Sequence, residues 1–266
     1  MGKPSVSDIA KILDGLYPPD LAQEWDVNGL NLGSTNKSVS KILLTVDVTK
    51  AVVDEAINEN VDLIISHHPL ILHPVSLLPA ESQKGEIVSK LIKNDIALFN
   101  AHTNADAAAR GVNDALANLL NLSDLKPINE TGIGRFGKLS SPMQLKDFAE
   151  LIKMKLPKTN NSILVSGDLD KEVISVAVCG GAGDSLLSEI RQLAPDVYLT
   201  ADLRHHPAQD NKELSGPALI SVSHWASEWP WLDDCQAALN RELAKAGFEV
   251  EMKISNLNTD PWDASL

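Results

Sequence analysis

Residues 41–69 read KILLTVDVTKAVVDEAINENVDLIISHHP. The apolar run Lys41–Val46 has the length and the Leu/Ile/Val content of a buried strand. Thr49 then stands where a helix N-cap is wanted, ahead of Val52, Val53, Ala56 and Ile57 at helical spacing. A second short run, Asp62–Ser66, follows, and His67-His68-Pro69 closes it. A strand, a helix and a second strand joined by short connections form the repeating unit of a parallel sheet.

The pattern continues on both sides. Ser7 followed by Ile9, Ile12, Leu13 and Leu16 predicts an amphipathic helix that Pro18-Pro19 ends. Downstream, a helix is expected over Gly85–Lys93, a strand over Ile96–Ala101 and a helix over Val112–Leu122. The glycine-rich run Thr131–Gly137 reads as a loop and as the domain boundary. Beyond it come a helix (Leu145–Lys155), a strand (Val173–Val178), a helix (Ser185–Gln192), two strands (Val197–Thr200, Leu219–Val222) and a last helix (Cys235–Ala246). The expected fold class is α/β in two similar lobes, 1–130 and 131–266, with the C-terminal segment packing back on the first.

Composition narrows the function. The chain has 266 residues, 44% hydrophobic and 22% charged, enough for one large domain or two lobes without staples. No apolar run approaches the ~18 residues of a membrane span. A net charge of −13 with only five arginines disfavours general nucleic-acid binding, so an anionic substrate needs a local cation to hold it. Met1-Gly2-Lys3-Pro4 carries no secretory or transit pattern, and Cys179 and Cys235 lack a short spacing. A reduced, cytoplasmic setting with two buried thiols is expected.

The halves also match each other. A shift of 134 lays Ile42–Ser66 over Val176–Thr200 without a gap, placing Glu55 and Asp62 on Glu189 and Asp196. A His-His-Pro follows in each half, the second copy (His205-His206-Pro207) four residues late. A shift of 122 places Ile96–Asp106 on Ala218–Glu228, with His102 on His224 and Asp106 on Glu228. Duplication is one explanation, and two unrelated lobes with similar strand spacing the other.

Six of the seven histidines lie in these four motifs, and only His73 lies outside. His67-His68 directly follows a strand, at the edge where open α/β sheets gather ligands. His102 with Asp106, and His224 with Glu228, are four apart, on one face of a helical turn. Imidazole and carboxylate donors without thiolate suit zinc, iron, manganese, cobalt or nickel. A carboxylate is the usual bridge between two ions about 3.5–4 Å apart. The run Cys179-Gly180-Gly181-Ala182-Gly183 reads as a strand-to-helix loop, either a phosphate cradle or a tight turn with close backbone approach. Trp225, Trp229 and Trp231 are a pocket wall, core or an oligomer contact.

Trp25-Asp26-Val27-Asn28-Gly29-Leu30, Asp47-Val48-Thr49, Asp62–Leu70, Gly111–Leu116, Gly132–Gly137 and His224–Glu228 together resemble the NIF-three-like family, often labelled GTP cyclohydrolase I type 2. The resemblance covers Leu13 to about Pro261. It implies two α/β lobes, two divalent cations per chain in the cleft between them, and a toroidal hexamer. Carried over, the ligands fall on His67, His68, Asp106, His224 and Glu228, with Glu228 bridging. Asn28 stands one place later than the family's usual order, a departure expected to leave the metal site untouched.

The expected activity is therefore metal-dependent hydrolysis of a small molecule, with GTP ring opening the reaction the label names. His102 would orient a ligand or move protons. The alternatives are a phosphoesterase using the same metals and a non-enzymatic metal-binding regulatory or interaction protein. His206 has two readings. It contacts substrate or moves protons from a loop displaced by Ala201–Arg204, or it is a relic hydrogen-bonded with Asp202 and Arg204.

Overall fold

The computed structural model describes residues 2–266. Elements follow in the order α1 (Val6–Leu16), β1 (Gly29–Leu32), β2 (Lys41–Thr45), α2 (Lys50–Asn58), β3 (Leu63–Ser66), α3 (Gln83–Lys93), β4 (Ala97–Asn100) and α4 (Thr103–Ala107). Next come α5 (Val112–Leu119), β5 (Ser123–Pro127), β6 (Arg135–Gln144), α6 (Leu145–Lys155), β7 (Leu164–Ser166), β8 (Glu172–Ala182), α7 (Leu187–Leu193) and β9 (Val197–Ala201). The chain closes with α8 (His205–Glu213), β10 (Ala218–Val222), α9 (His224–Glu228), α10 (Trp231–Lys245) and β11 (Glu251–Ile254). Among the described residues no helix is long and apolar enough to cross a membrane.

Two compact units result: Met1–Ala108 with Leu232–Thr259, and Ala109–Trp231 with Asp260–Leu266. The first holds a five-stranded sheet in the order β1-β4-β3-β2-β11. Its strands β4, β3, β2 and β11 are parallel, and β1 lies antiparallel at the edge. Every residue of β3 and β4 is buried, as expected of central parallel strands covered on both faces. Helices α2 and α3 cover one face through Val52, Val53, Ala56, Ile87 and Leu91, packed on Leu43, Ile64 and Leu98. Each of the valine, leucine and isoleucine side chains contributes about 1.5–3 kcal/mol of burial.

The second unit holds six strands in the order β5-β6-β8-β9-β10-β7. Its centre, β8-β9-β10, is parallel, and its flanking strands pair antiparallel. Ala177, Cys179, Leu187, Ile190, Tyr198 and Leu219 form a core on this sheet. The parallel centre reproduces β2-β3-β4 down to one polar detail. Asp62 accepts from the Ser40 and Lys41 amides at 2.7 and 3.2 Å. Asp196, its counterpart at a shift of 134, accepts from the Ile174 and Ser175 amides at 3.1 and 2.9 Å. Each carboxylate ties the start of one strand to the start of its neighbour.

The α/β fold in two units is as expected, but the boundary differs. It falls at Ala108/Ala109, not at 130/131. Helix α5 belongs to the second unit because Asn113 Oδ1 accepts the Gly180 amide at 2.9 Å and Asp114 pairs with the buried Arg135. The run 131–137 is consequently not a linker. It leads into β6, the partner of β5 and β8. Helix α1 is capped by Ser5: its hydroxyl accepts from the Asp8 amide at 3.1 Å while Asp8 accepts from the Ser5 amide at 2.9 Å. Cys179–Ala182 is strand, not loop, because Ala182 still pairs with Ala201. Both thiols are buried, and burial pushes that of Cys235 up to about 12.

Candidate functional site

In the first unit, three parallel strands deliver polar residues at one edge. His67 and His68 extend β3, their amides donating to the carbonyls of Thr45 and Val46 at 3.1 and 2.9 Å, so the pair sits on the sheet ladder rather than on a mobile loop. Asp47 follows β2, and His102 follows β4 as the residue before α4. Each imidazole has its Nδ1 against an oxygen: His67 on Ala101 O (2.9 Å), His68 on Asp47 Oδ1 (2.7 Å) and His102 on Asp26 Oδ1 (3.0 Å). An oxygen at Nδ1 selects the Nδ1–H tautomer and leaves the Nε2 lone pair for coordination.

The three rings lie 4.9 to 5.5 Å apart by centroid, and one ligand atom from each falls within 4.8 Å of the others. One turn along α4, Asp106 Oδ1 comes to 3.7 Å from His67 Nε2. Three imidazoles with fixed tautomers beside a carboxylate are a donor set suited to a divalent transition metal.

The clamp on His102 explains an N-terminal motif. Asn28 Oδ1 accepts the His102 amide at 2.8 Å, and Asp26 Oδ2 accepts from the Thr103 amide and hydroxyl at 3.0 and 2.6 Å. Burial alone would raise the Asp26 carboxyl, but the hydrogen bonds from His102 and Thr103 outweigh it and hold it far below the usual range. Asn28 thus helps to hold the backbone of His102.

The second unit builds a smaller set at the same edge of its own sheet. Ser223 caps α9, accepting from the Ala226 amide at 3.2 Å, and the helix carries His224 and Glu228 on one face. His224 Nδ1 meets Asp202 Oδ2 at 2.6 Å, and its Nε2 meets Glu228 Oε1 at 3.0 Å. Burial disfavours charge on this ring, but Glu228 and then Asp202 overcome it and raise the pKa to about 11. The charged imidazolium is thus favoured between two carboxylates, one of them, Glu228, almost fully buried.

Gly181 makes room for this pair. Its φ is +68°, and a Cβ there would stand 2.4 Å from Glu228 Oε1 and 3.1 Å from His224 Nε2. The close-approach reading of the glycine run is the one the structure supports.

The sequence pattern described as Duf34/NIF3 (NGG1p interacting factor 3) matches residues 4–261. The chain belongs to this family. A Streptomyces coelicolor relative named "GTP cyclohydrolase 1 type 2 homolog" is 40% identical across 98% of this chain and 94% of its own. Among solved structures, a Bacillus cereus protein related to NIF3 superposes with a TM-score of 0.92 at 26% identity, covering 98% of this chain and 99% of the other. A Staphylococcus aureus protein superposes at 0.91 with 29% identity, covering 98% and 99%.

Of the residues carried over from the NIF3 resemblance, the first unit gathers His67, His68 and Asp106, and the second pairs His224 with Glu228. His102, expected beside the metal as an orienting or proton-moving group, has its ligand atom in the same cluster as His67 and His68. His206 stands with His205 in the exposed first turn of α8, the rings 5.2 Å apart. Of the two residues the relic reading gave it as partners, Asp202 pairs with His224 and Arg204 with Asp184. The ungapped shift of 134 puts Asp202, not His206, in the place of His68, and Gly181 in the place of Asp47.

Trp225 and Trp231 are buried within the chain and belong to its core, whereas Trp229 is half-buried. The sequence alone assigned no role at the site to Asp26, Asp47 and Asp202. The first two stand inside motifs that carry the resemblance. Asp202 lay in a segment read as an insertion.

Proposed function

We propose that this NIF3-family protein is a hydrolase dependent on divalent metal, acting on a small molecule, with purine nucleotides such as GTP the first substrates to examine. The observation that carries the reading is the shared arrangement of four histidines. His67, His68, His102 and His224 each have Nδ1 fixed by an oxygen, the preparation that imidazole ligands receive in metal enzymes. The ligands proposed for two cations per chain are His67, His68, Asp106, His224 and Glu228, with His102 added from its place in the first cluster. Cations held there would supply Lewis-acid polarisation and a nucleophilic water near neutral pH.

The chain's own residues set the conditions for that chemistry. Asp26, Asp47 and Asp202 hold the imidazoles at fixed angles and raise their basicity as donors. Buried Glu228 contributes a negative charge that cannot be screened by solvent. The name of the Streptomyces relative supports GTP as a test substrate. A hexamer, implied by the sequence resemblance, is the proposed assembly.

Metal-loaded protein incubated with GTP, other nucleotides and phosphoesters, beside Glu228→Gln, tests the reading. Turnover of one substrate that Glu228→Gln loses is the expected result. Undiminished turnover in the variant would remove Glu228 from the mechanism. Metal retention with no turnover on any substrate would favour a metal-binding interaction protein.

A further inference from the structure

Strands β2 and β11 are parallel neighbours, so the chain leaves both at the same end of the sheet. Ser255 prolongs the ladder by donating its amide to Leu44 O at 2.8 Å. A few residues on, the Thr259 hydroxyl donates to Asp47 Oδ2. The other oxygen of that carboxylate holds His68 Nδ1. A carboxylate tethered through one oxygen still swings about its terminal torsion, which has a broad energy profile. Tethering the second oxygen removes that freedom and fixes the plane in which His68 is held.

The next residue plays a similar part in the other unit. Asp260 Oδ2 accepts from the Ser223 hydroxyl. Ser223 has one hydroxyl proton, and giving it to Asp260 turns its lone pairs toward the Ala226 amide that it caps. Helix α9, begun by this cap, is the element that presents His224 and Glu228. Asp260 is itself held, its Oδ1 accepting from the Trp262 amide at 3.1 Å and its Oδ2 from Asn161 Nδ2 at 3.4 Å. Asn160 Nδ2 donates to the carbonyls of Trp262 and Asp263 at 3.1 and 2.9 Å, anchoring the segment that follows.

We propose that Thr259 and Asp260 are positioning residues for the metal ligands: Thr259 sets the angle of His68 through Asp47, and Asp260 sets the first turn of α9, and with it His224 and Glu228, through Ser223. Neither residue touches a cation. The inference rests on the reading of these histidines as ligands, and its test has a part that does not.

That part uses metal-free, nitrogen-labelled protein, in which the ring nitrogens of each histidine report its tautomer. Thr259→Val keeps the shape of the side chain and removes the hydroxyl. It is expected to loosen the Nδ1–H tautomer of His68 and leave His224 unchanged, with Thr259→Ser restoring the native signals. Asp260→Ala is expected to do the reverse, moving His224 and sparing His68. If Asp260→Ala does not fold, Ser223→Ala breaks the same link. In zinc competition against a chromophoric chelator, Thr259→Val should bind about ten-fold more weakly, the low end of what loss of an outer partner brings.

Unchanged His68 signals and unchanged zinc affinity in Thr259→Val would overturn the proposal. So would variants that each disturb both histidines alike, the mark of general loosening. A wild-type protein that binds no zinc would sink the metal reading, while the tautomer signals would still decide whether the two residues position their histidines.

Discussion

Replacing Gly181 by alanine tests the link between the glycine run and the ligand pair. The backbone φ of +68° places an alanine in the left-handed region, which costs roughly 1–2 kcal/mol. The new Cβ would also stand 2.4 Å from Glu228 Oε1. Glu228 is 3% exposed, so its carboxylate has no solvent to retreat into. Displacing a buried charged group from its partners costs about 1–3 kcal/mol, or more. The whole perturbation is then roughly 2–5 kcal/mol. Gly247→Ala is the comparison, with φ at +79° and nothing within 4 Å of the added carbon, so it carries the backbone penalty alone. Urea denaturation of the metal-free proteins measures the two losses, and zinc content after dialysis measures the ligand set. The expected result is a larger loss of stability in Gly181→Ala together with less bound zinc. Equal losses in the two variants, with full zinc in both, would refute the claim that the missing side chain makes room for Glu228.

Three further outcomes follow from the same geometry. Asp196→Ala should lose about 1.5–3 kcal/mol in urea denaturation, the range for hydrogen bonds to a charged group, and Asp62→Ala a similar amount. Burial raises the Asp196 carboxyl, but the hydrogen bonds from Ser175 and Ile174 outweigh it and leave the pKa lowered. Its stabilisation is therefore complete above the ordinary carboxylate pKa of about 3.9 and is lost as pH falls through the lower folded value. In Asp196→Asn that part of the acid dependence of stability should vanish, which denaturation curves between neutral and acid pH would check. His206→Ala should keep the wild-type metal content by elemental analysis, since the side chain stands exposed on α8, and loss of metal would place His206 among the ligands. Light scattering at micromolar concentration should report an oligomer, whereas a monomer would remove the hexamer proposal.

Much of this could be read from residues 41–69 and their shifted copy. Apolar runs bounded by turn residues mark strands that are buried on both faces, and β3 and β9 are of that kind. The strands that escaped were β1, β5, β7 and β11, which have no buried positions, and β6, a ten-residue strand whose start lies in the glycine-rich run read as a loop. The boundary misled because a glycine-rich run suits a strand connection as well as a linker. His67 and His68 were legible from their place at a strand end, and His102 with Asp106 and His224 with Glu228 from their spacing of four. Their carboxylate partners were not, since an aspartate that orients an imidazole from a distant segment leaves no local spacing to read. Asp26 lies 76 residues from His102, and Asp47 lies 21 from His68.

The return of β11 to the first sheet has a consequence for synthesis. Once Trp231 has been made, the second unit has all six of its strands. The first unit at that moment still lacks most of α10, whose Cys235, Leu239 and Leu243 are buried, and the strand that pairs with β2. The part of the protein encoded later is therefore the first to have a complete sheet. Until translation reaches Ile254, the hydrogen-bonding edge of β2 has no partner strand to cover it. That open edge is where a nascent or C-terminally truncated chain would pair wrongly.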